Sequence, residues 1–120
     1  MLLKTVAEYD GIYIACHAVD FRKNVDGLAH IVKRDFKLCP FANYLFLFTN
    51  KSRDKIKGLS WDKNGFAMYY KRLDGKGGKF KWPKSPNAAR EISAEQLRLL
   101  MSGLSVEPPR GFGDVSARDF

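Results

Sequence analysis

An Asn-Gly dipeptide at residues 64–65 is the strongest local signal in this chain, because it lies between two runs of strand length that contain aromatic and aliphatic residues. Asn-Gly accepts the positive φ angles of a tight turn, so residues 55–62 and 66–73 are predicted to form an antiparallel hairpin. With a two-residue loop, the predicted facing pairs are Trp61 with Met68, Leu59 with Tyr70, Lys57 with Arg72 and Gly58 with Lys71. A three-residue loop would shift this register by one residue.

Three more strands and two helices are predicted around this hairpin. Residues 12–18 and 44–49 are apolar runs of strand length, and residues 79–82 are predicted as a last short strand before Pro83. The run at 44–49 is apolar on both faces, which is typical of a central strand. Helical spacing joins Val25, Leu28, Ala29, Val32 and Phe36, with Asp20 or Asn24 as a cap. A capping box at residues 93–96 begins a second helix that ends near Gly103.

The predicted fold is therefore α+β: an antiparallel β-meander of four to five strands, with two amphipathic helices packed on one face. Residues 1–105 are predicted to form a single domain. Residues 106–120 contain paired prolines and several glycines without a period, so a disordered C-terminal tail is predicted.

The compartment is predicted from what the sequence lacks. Cys16 and Cys39 make no disulfide framework, and they are expected to be reduced. The first residues lack the apolar core of a signal peptide, and no apolar run reaches membrane-spanning length. We therefore expect a soluble, cytoplasmic protein without a membrane partner.

Positive charge is concentrated in one third of the chain. Residues 51–84 contain eleven Lys and Arg against three Asp, and the whole protein has a formal net charge of +8. The remaining residues carry ten charges of each sign, so this one region accounts for the net charge. Charge concentrated in this way indicates a polyanionic partner, of which nucleic acid is the commonest.

A nucleic-acid-binding surface is predicted on this region and on the start of the first helix. If residues 51–57 are extended, their alternate cations project to one side about 6.6 to 6.8 Å apart and can follow a phosphate backbone. Aromatic rings nearby can stack on unpaired bases. The candidate binding residues are Arg22, Lys23, Lys51, Arg53, Lys55, Lys57, Trp61, Tyr70, Lys71, Arg72, Lys79, Lys81 and Trp82.

Structural roles are open alternatives for several of these residues. The lysines can form a solubilising face over an aromatic core that buries Trp61 and Tyr70. At the first helix, Asp20 can be a helix cap, and Arg22 can pair with Asp26 one turn later.

A catalytic site is not indicated by the sequence. A metal-dependent nuclease needs two or three carboxylates that converge on Mg²⁺, and Asp20, Asp26, Asp62 and Asp74 form no recognised pair. His17 and His30 have no Cys or Asp at ligand spacing. Cys16 and His17 are consecutive, so on a strand they point to opposite faces and cannot act as a nucleophile and its base. No metal, cofactor or enzymatic activity is expected.

Three blocks of the sequence resemble a known family. These blocks are DFRKNVDGLAHIV, LFLFTNKSRDKIKGLSWDKNGFAMYYKRLDGKGGKFKWP and ISAEQLRLLMSGL. They resemble TnpB, the second open reading frame product of IS66-type insertion sequences, which is unrelated to the RNA-guided nuclease of the same name. The chain departs from the family pattern at Gly58 and Ser60, where larger side chains are usual, and in its glycine-rich turn at 74–78. These departures concern local packing.

This resemblance implies an accessory protein of transposition, encoded beside a separate transposase of the DDE type. With the charge pattern, it suggests a non-catalytic factor that binds the DNA of element ends with low sequence selectivity and assists the transposase of the same element. One alternative is a protein-interaction module that bridges transposase subunits. Another is a metal-dependent nuclease that uses Asp20 or Asp62. The sequence leaves the oligomeric state open.

Overall fold

A computed structural model describes residues 4–75 and 77–107, and it contains a five-stranded sheet with two α-helices. The strands are β1 (Gly11–Ala15), β2 (Tyr44–Thr49), β3 (Lys55–Asp62), β4 (Gly65–Arg72) and β5 (Ala89–Ile92). The helices are α1 (Val25–Ile31), which continues into a π-helical turn (Val32–Phe36), and α2 (Ala94–Met101), while a short 3-10 helix (Val6–Glu8) precedes β1.

The sheet is mixed, with the strand order β4-β3-β2-β1-β5. β1 and β2 are parallel, and the other three neighbouring pairs are antiparallel. The α+β class and the mostly antiparallel pairing are confirmed, but the chain is not a simple meander. The connection from β1 to β2 contains α1 and is long enough for the crossover that parallel strands require.

The two helices cover opposite faces of the sheet, which corrects the prediction that both pack on one face. On β2, Phe46 and Phe48 pack with Leu28 of α1, whereas Leu45 and Leu47 belong to the cluster that contains α2. A central strand that is apolar on both faces needs a cover on each side. The sequence of β2 thus called for one helix per face.

The predicted hairpin between β3 and β4 is present, but its register differs by two residues from the predicted one. The loop consists of Lys63 and Asn64, and Lys63 adopts the left-handed conformation with φ 57°. Gly65 therefore belongs to the strand and pairs with Asp62. The observed partners are Trp61 with Phe66, Gly58 with Tyr69, Leu59 with Met68, Lys57 with Tyr70, Ile56 with Lys71 and Lys55 with Arg72. A shift of two residues leaves every side chain on its predicted face.

The predicted strand at residues 79–82 does not join the sheet. Lys79 and Lys81 are exposed, while Phe80 and Trp82 are buried in the cluster that contains α2. The indole Nε1 of Trp82 donates a hydrogen bond to the carbonyl oxygen of Ala15 at 2.7 Å. The fifth strand is instead β5, which pairs with β1 and contains two charged residues in four, so no apolar run marked it in the sequence.

The described residues extend the packed domain beyond residue 105. Val106 is buried in the cluster that contains α2, and Glu107 forms an ion pair with Arg90 at 2.5 Å. The rest of the predicted tail, residues 108–120, lies outside the described residues, as does residue 76. In the described part of the chain, no helix is long and apolar enough to cross a membrane.

Replacing Trp82 with Ala tests whether this side chain belongs to the core. We expect the free energy of unfolding to fall by about 3–5 kcal/mol, because a buried indole is lost and a cavity remains. Urea denaturation monitored by circular dichroism measures the change. Lys81→Ala, the exposed neighbour, is the control and should change stability by no more than about 0.5 kcal/mol. Equal effects of the two substitutions would contradict the burial of Trp82.

Candidate nucleic-acid interface

One end of the sheet collects the segments that carry most of the positive charge. β1 and β2 finish at this end, β3 and β5 begin there, and β4 finishes there, since Ala15 pairs with Ala89 and Lys55 with Arg72. The connecting segments 16–24, 50–54 and 73–88 therefore lie at the same end, which we call the basic end. Charge that is spread along the sequence is brought together by strand direction.

The basic end carries ten Lys and Arg against three Asp, counted on the described residues of these segments and on Lys55, Lys71 and Arg72 at the adjoining ends of β3 and β4. The cations are Arg22, Lys23, Lys51, Arg53, Lys55, Lys71, Arg72, Lys79, Lys81 and Lys84, and the carboxylates are Asp20, Asp54 and Asp74. The positive charge is therefore concentrated at one end of the sheet, whereas the sequence predicted a sheet face.

Five of these cations have partners within the protein, and one of the five is Lys79, which donates to the carbonyl oxygen of Ser52. Asp20 pairs with Arg22 at 2.6 Å, Asp54 with Lys55 at 3.3 Å, and Asp74 with Arg72 at 3.2 Å. Lys71 donates from Nζ to the carbonyl oxygen of Met101 at 2.9 Å, where a cation complements the dipole of α2. Six exposed cations of the basic end have no carboxylate partner among the described residues: Lys23, Lys51, Arg53, Lys79, Lys81 and Lys84.

Asp20 partly neutralises the Arg22 that the sequence predicted as a binding residue. The Arg22 guanidinium donates from both Nε and Nη2 to the carboxylate, and these bonds lower the pKa of Asp20 to about 2. Asp20 also accepts the backbone N–H of Arg22 at 2.9 Å. Arg22 thus pairs with Asp20 two residues before it, rather than with Asp26.

The predicted row of alternate cations along residues 51–57 does not form. Residues 51–53 are a turn, and Arg53 has a left-handed backbone with φ 59°. The side chain of Asn50 organises this turn, because its Oδ1 accepts the N–H groups of Asp54 and Lys55 at 3.1 Å each. The extended backbone begins only at Lys55, so Lys51 and Arg53 are displayed by a turn instead of a strand.

Lys57 is buried and does not face solvent, which corrects its assignment as a binding residue. Only 8% of its surface is exposed. Its Nζ donates to the carbonyl oxygens of Phe21 at 2.8 Å and Lys23 at 3.0 Å and lies 4.8 Å from the centre of the Phe21 ring. Lys57 therefore fastens the segment that displays Arg22 and Lys23.

The segment that follows β4 folds back over the 50–54 turn and brings a second set of cations to it. The N–H of Phe80 donates to the carbonyl oxygen of Arg53 at 2.7 Å, and Lys79 donates from Nζ to that of Ser52 at 3.1 Å. Arg53, Lys81 and Lys84 line a groove of about 610 Å³ with Glu107 on its wall. Two chain segments thus form one positive surface.

The aromatic candidates separate into three environments. Trp82 is in the core, so it cannot stack on a base, which corrects that prediction. Trp61 is half-buried at the opposite end of the sheet, where it contacts Phe41 and Phe66. Tyr70 remains 53% exposed. Lys71 and Arg72 are consecutive on β4 and lie on opposite faces, so they do not form a single row.

Sequence reasoning did not select two exposed residues, of which Lys84 lies in this surface and Phe41 lies at the opposite end of the sheet. Lys84 lies between prolines in a segment interpreted as a linker, although its charge was visible there. Phe41 follows Pro40 in a connection without a periodic pattern, and no sequence signal marked its exposure.

The described residues contain no group of three His, Cys, Asp or Glu side chains placed to hold a metal ion. Among the nuclease candidates, Asp20 and Asp74 are paired with arginines, and Asp62 lies at the opposite end of the sheet. Cys16 is buried while His17 is exposed, and burial raises the pKa of the Cys16 thiol.

Substituting Lys57 with Met tests its structural role. We expect a loss of about 1–3 kcal/mol in the free energy of unfolding, because two backbone carbonyl groups lose their hydrogen-bond donor. Urea denaturation measures this loss, and Lys51→Met is the matched exposed control, expected to change stability by no more than about 0.5 kcal/mol. A Lys57→Met variant as stable as the control would show that the two carbonyl contacts are dispensable.

Comparison with known proteins identifies the family. Two curated relatives are both uncharacterized proteins of Sinorhizobium fredii: y4jC is 32% identical over 93 residues, covering 78% of each chain. The other, y4hO, is 34% identical over 99 residues, covering 82% of this chain and 84% of its own. No solved structure matches the chain. The sequence model of the IS66 Orf2-like protein family matches residues 10–111, and the chain therefore belongs to this family of transposition-associated accessory proteins of IS66 elements.

Proposed function

We propose that this protein binds DNA of its insertion element through the basic end, as a non-catalytic accessory factor of the separate transposase. The observation that carries the proposal is the set of six exposed cations at one end of the sheet, which have no carboxylate partner within residues 4–75 and 77–107. Membership of the family connects the protein with transposition, and the positive charge of the basic end favours a polyanion such as DNA as the ligand. The protein would meet this DNA in the cytoplasm.

The proposed binding is to phosphates and has low sequence selectivity. Five of the six cations are lysines, whose ammonium groups act as point charges on flexible side chains. Phosphate contacts fix position and orientation on DNA, whereas discrimination between sequences requires contacts to base edges. A factor of this kind would recognise element ends together with the transposase, which would supply the base contacts.

The groove between Arg53, Lys81 and Lys84 gives the proposed interface its shape. Arg53 from the 50–54 turn lines one depression together with Lys81 and Lys84, and Glu107 is also on its wall, so a phosphate backbone lying in it would meet cations of two chain segments. Lys23, displayed beside the carbonyl groups that bind Lys57, extends the positive surface toward α1. Because buried Lys57 donates to the carbonyl groups of Phe21 and Lys23, the backbone that displays Lys23 is held in place.

A salt titration of duplex binding tests the proposal. If the six cations contact about six phosphates, the logarithm of the association constant should fall against the logarithm of salt concentration with a slope of roughly −5. In a Lys51→Gln, Arg53→Gln, Lys81→Gln variant, the slope should weaken to roughly −3, and affinity at low salt should fall. Fluorescence anisotropy with a labelled duplex measures both quantities.

The matched control is a Lys33→Gln, Lys63→Gln, Arg98→Gln variant. It removes the same formal charge from exposed positions outside the basic end, so a general effect of net charge would appear in both variants. We expect the control to retain the wild-type slope. Equal weakening in the two variants, or absence of duplex binding at low salt, would contradict the proposal. Transposase binding without any DNA binding would assign the basic end to an acidic protein surface.

A further inference from the structure

Two aromatic side chains are exposed on the α1-facing side of the sheet. Phe41 is 57% exposed and Tyr70 is 53% exposed, and they are two of the four exposed large hydrophobic side chains among the described residues. Phe66 and Met68 lie between them on β4 and pack against the cluster that contains α1. We call these four residues the aromatic strip. Its two exposed members are not needed to fill the core.

The ring of Phe41 is held in place by its neighbours. It stacks on Phe66 with centroids 5.6 Å apart and an interplanar angle of 28°, and it meets Trp61 edge-on at 4.9 Å. Trp61 and Phe66 are themselves a cross-strand pair with centroids 5.0 Å apart. Phe41 therefore presents an exposed ring whose orientation is fixed before any ligand binds.

Tyr70 connects this strip to the basic end. Its cross-strand partner is Lys57, which holds the segment that displays Lys23, and Arg72 follows it on the same face of β4. Tyr70 lies four positions after Phe66 on β4, so these two positions are roughly 13 Å apart along the strand. A ligand that extends from the basic end along β4 would meet cations first and aromatic rings next.

We propose that the aromatic strip binds the bases of an unpaired DNA strand whose phosphates lie on the basic end. This inference rests on the proposed DNA binding and specifies the structure of the DNA. Bases in a duplex are stacked and cannot reach these rings, whereas unpaired bases stack on aromatic side chains without regard to sequence. Lys23, whose carbonyl group binds the Lys57 that faces Tyr70, is exposed and has no carboxylate partner among the described residues, so it favours a polyanion over an apolar protein segment as the occupant.

The test compares single-stranded and duplex oligonucleotides of the same sequence with a Phe41→Ala, Tyr70→Ala variant. We expect affinity for the single strand to fall roughly 5- to 100-fold, and affinity for the duplex to stay within about twofold. The salt slope for each ligand should stay at its wild-type value, because no cation is removed. Tyr70→Phe, which retains the ring, should bind the single strand as the wild type does.

The matched control is Val6→Ala, Leu104→Ala, which removes the other two exposed large hydrophobic side chains. It should leave binding of both ligands unchanged. A second measurement uses the wild type: oligothymidine should quench the fluorescence of half-buried Trp61, which contacts Phe41, and a Trp61→Phe variant should abolish the response. Buried Trp82 should contribute none of it.

Three outcomes would overturn the inference. They are equal loss of affinity for both ligands, an unchanged affinity for the single strand, and loss of transposase binding with both DNA affinities intact. The last would make the strip a protein-binding surface. If the wild type binds duplex with the expected salt slope and the strip variant binds single strands normally, this inference alone fails. If the wild type binds neither ligand, the proposed function fails as well.

Discussion

Parallel pairing of β1 with β2 is the constraint on which the rest of the structure depends. Because both strands finish at the same end of the sheet, the segment after β1 and the turn after β2 are neighbours there. β3 leads the chain away from that end and β4 returns it there at Arg72. β5 then starts from the same end. If β1 were antiparallel to β2, Arg22, Lys23 and the entry to β5 would lie at the other end, and the positive charge would be divided.

Desolvation then decides what each cation does. A charged side chain is buried only where hydrogen bonds replace water, and Lys57 meets that condition with two backbone carbonyl groups. Lys71 likewise donates a hydrogen bond to a backbone carbonyl group at the C-terminal end of α2. The six exposed cations without carboxylate partners among the described residues repel one another, which weakens the folded state slightly. Lysine thus stabilises the fold at some positions and is proposed to contact DNA phosphates at others.

The local elements could be predicted from the sequence because their signals are local. β2 has the predicted bounds, the helix cap at Ser93 is present with Gln96 as its partner, and the hairpin joins the predicted strands. The parallel pairing and β5 could not be predicted in the same way. They depend on contacts between distant segments. In β5, two of the four residues are charged, so the sequence shows no apolar run that would indicate a strand.

In the candidate interface, too, local sequence predicts some features and contacts between distant segments decide others. Exposure of Lys23, Lys51, Arg53, Lys79 and Lys81 follows from their polarity and agrees with the structure. Burial of Lys57 depends on the carbonyl groups of a segment more than thirty residues away, and burial of Trp82 depends on Ala15. No pattern within a short window carries that information. Lys57 and Trp82, which sequence reasoning misplaced, have partners distant in the chain, whereas Arg22 pairs with nearby Asp20.

Lysine acetylation with and without added DNA, read residue by residue by mass spectrometry, measures which lysines DNA would cover. We expect DNA to protect Lys23, Lys51, Lys79, Lys81 and Lys84, Lys33 to remain as reactive as before, and Lys57 to react little in either state. Uniform protection of all exposed lysines, or protection of Lys33 with a reactive basic end, would contradict the proposed binding at the basic end.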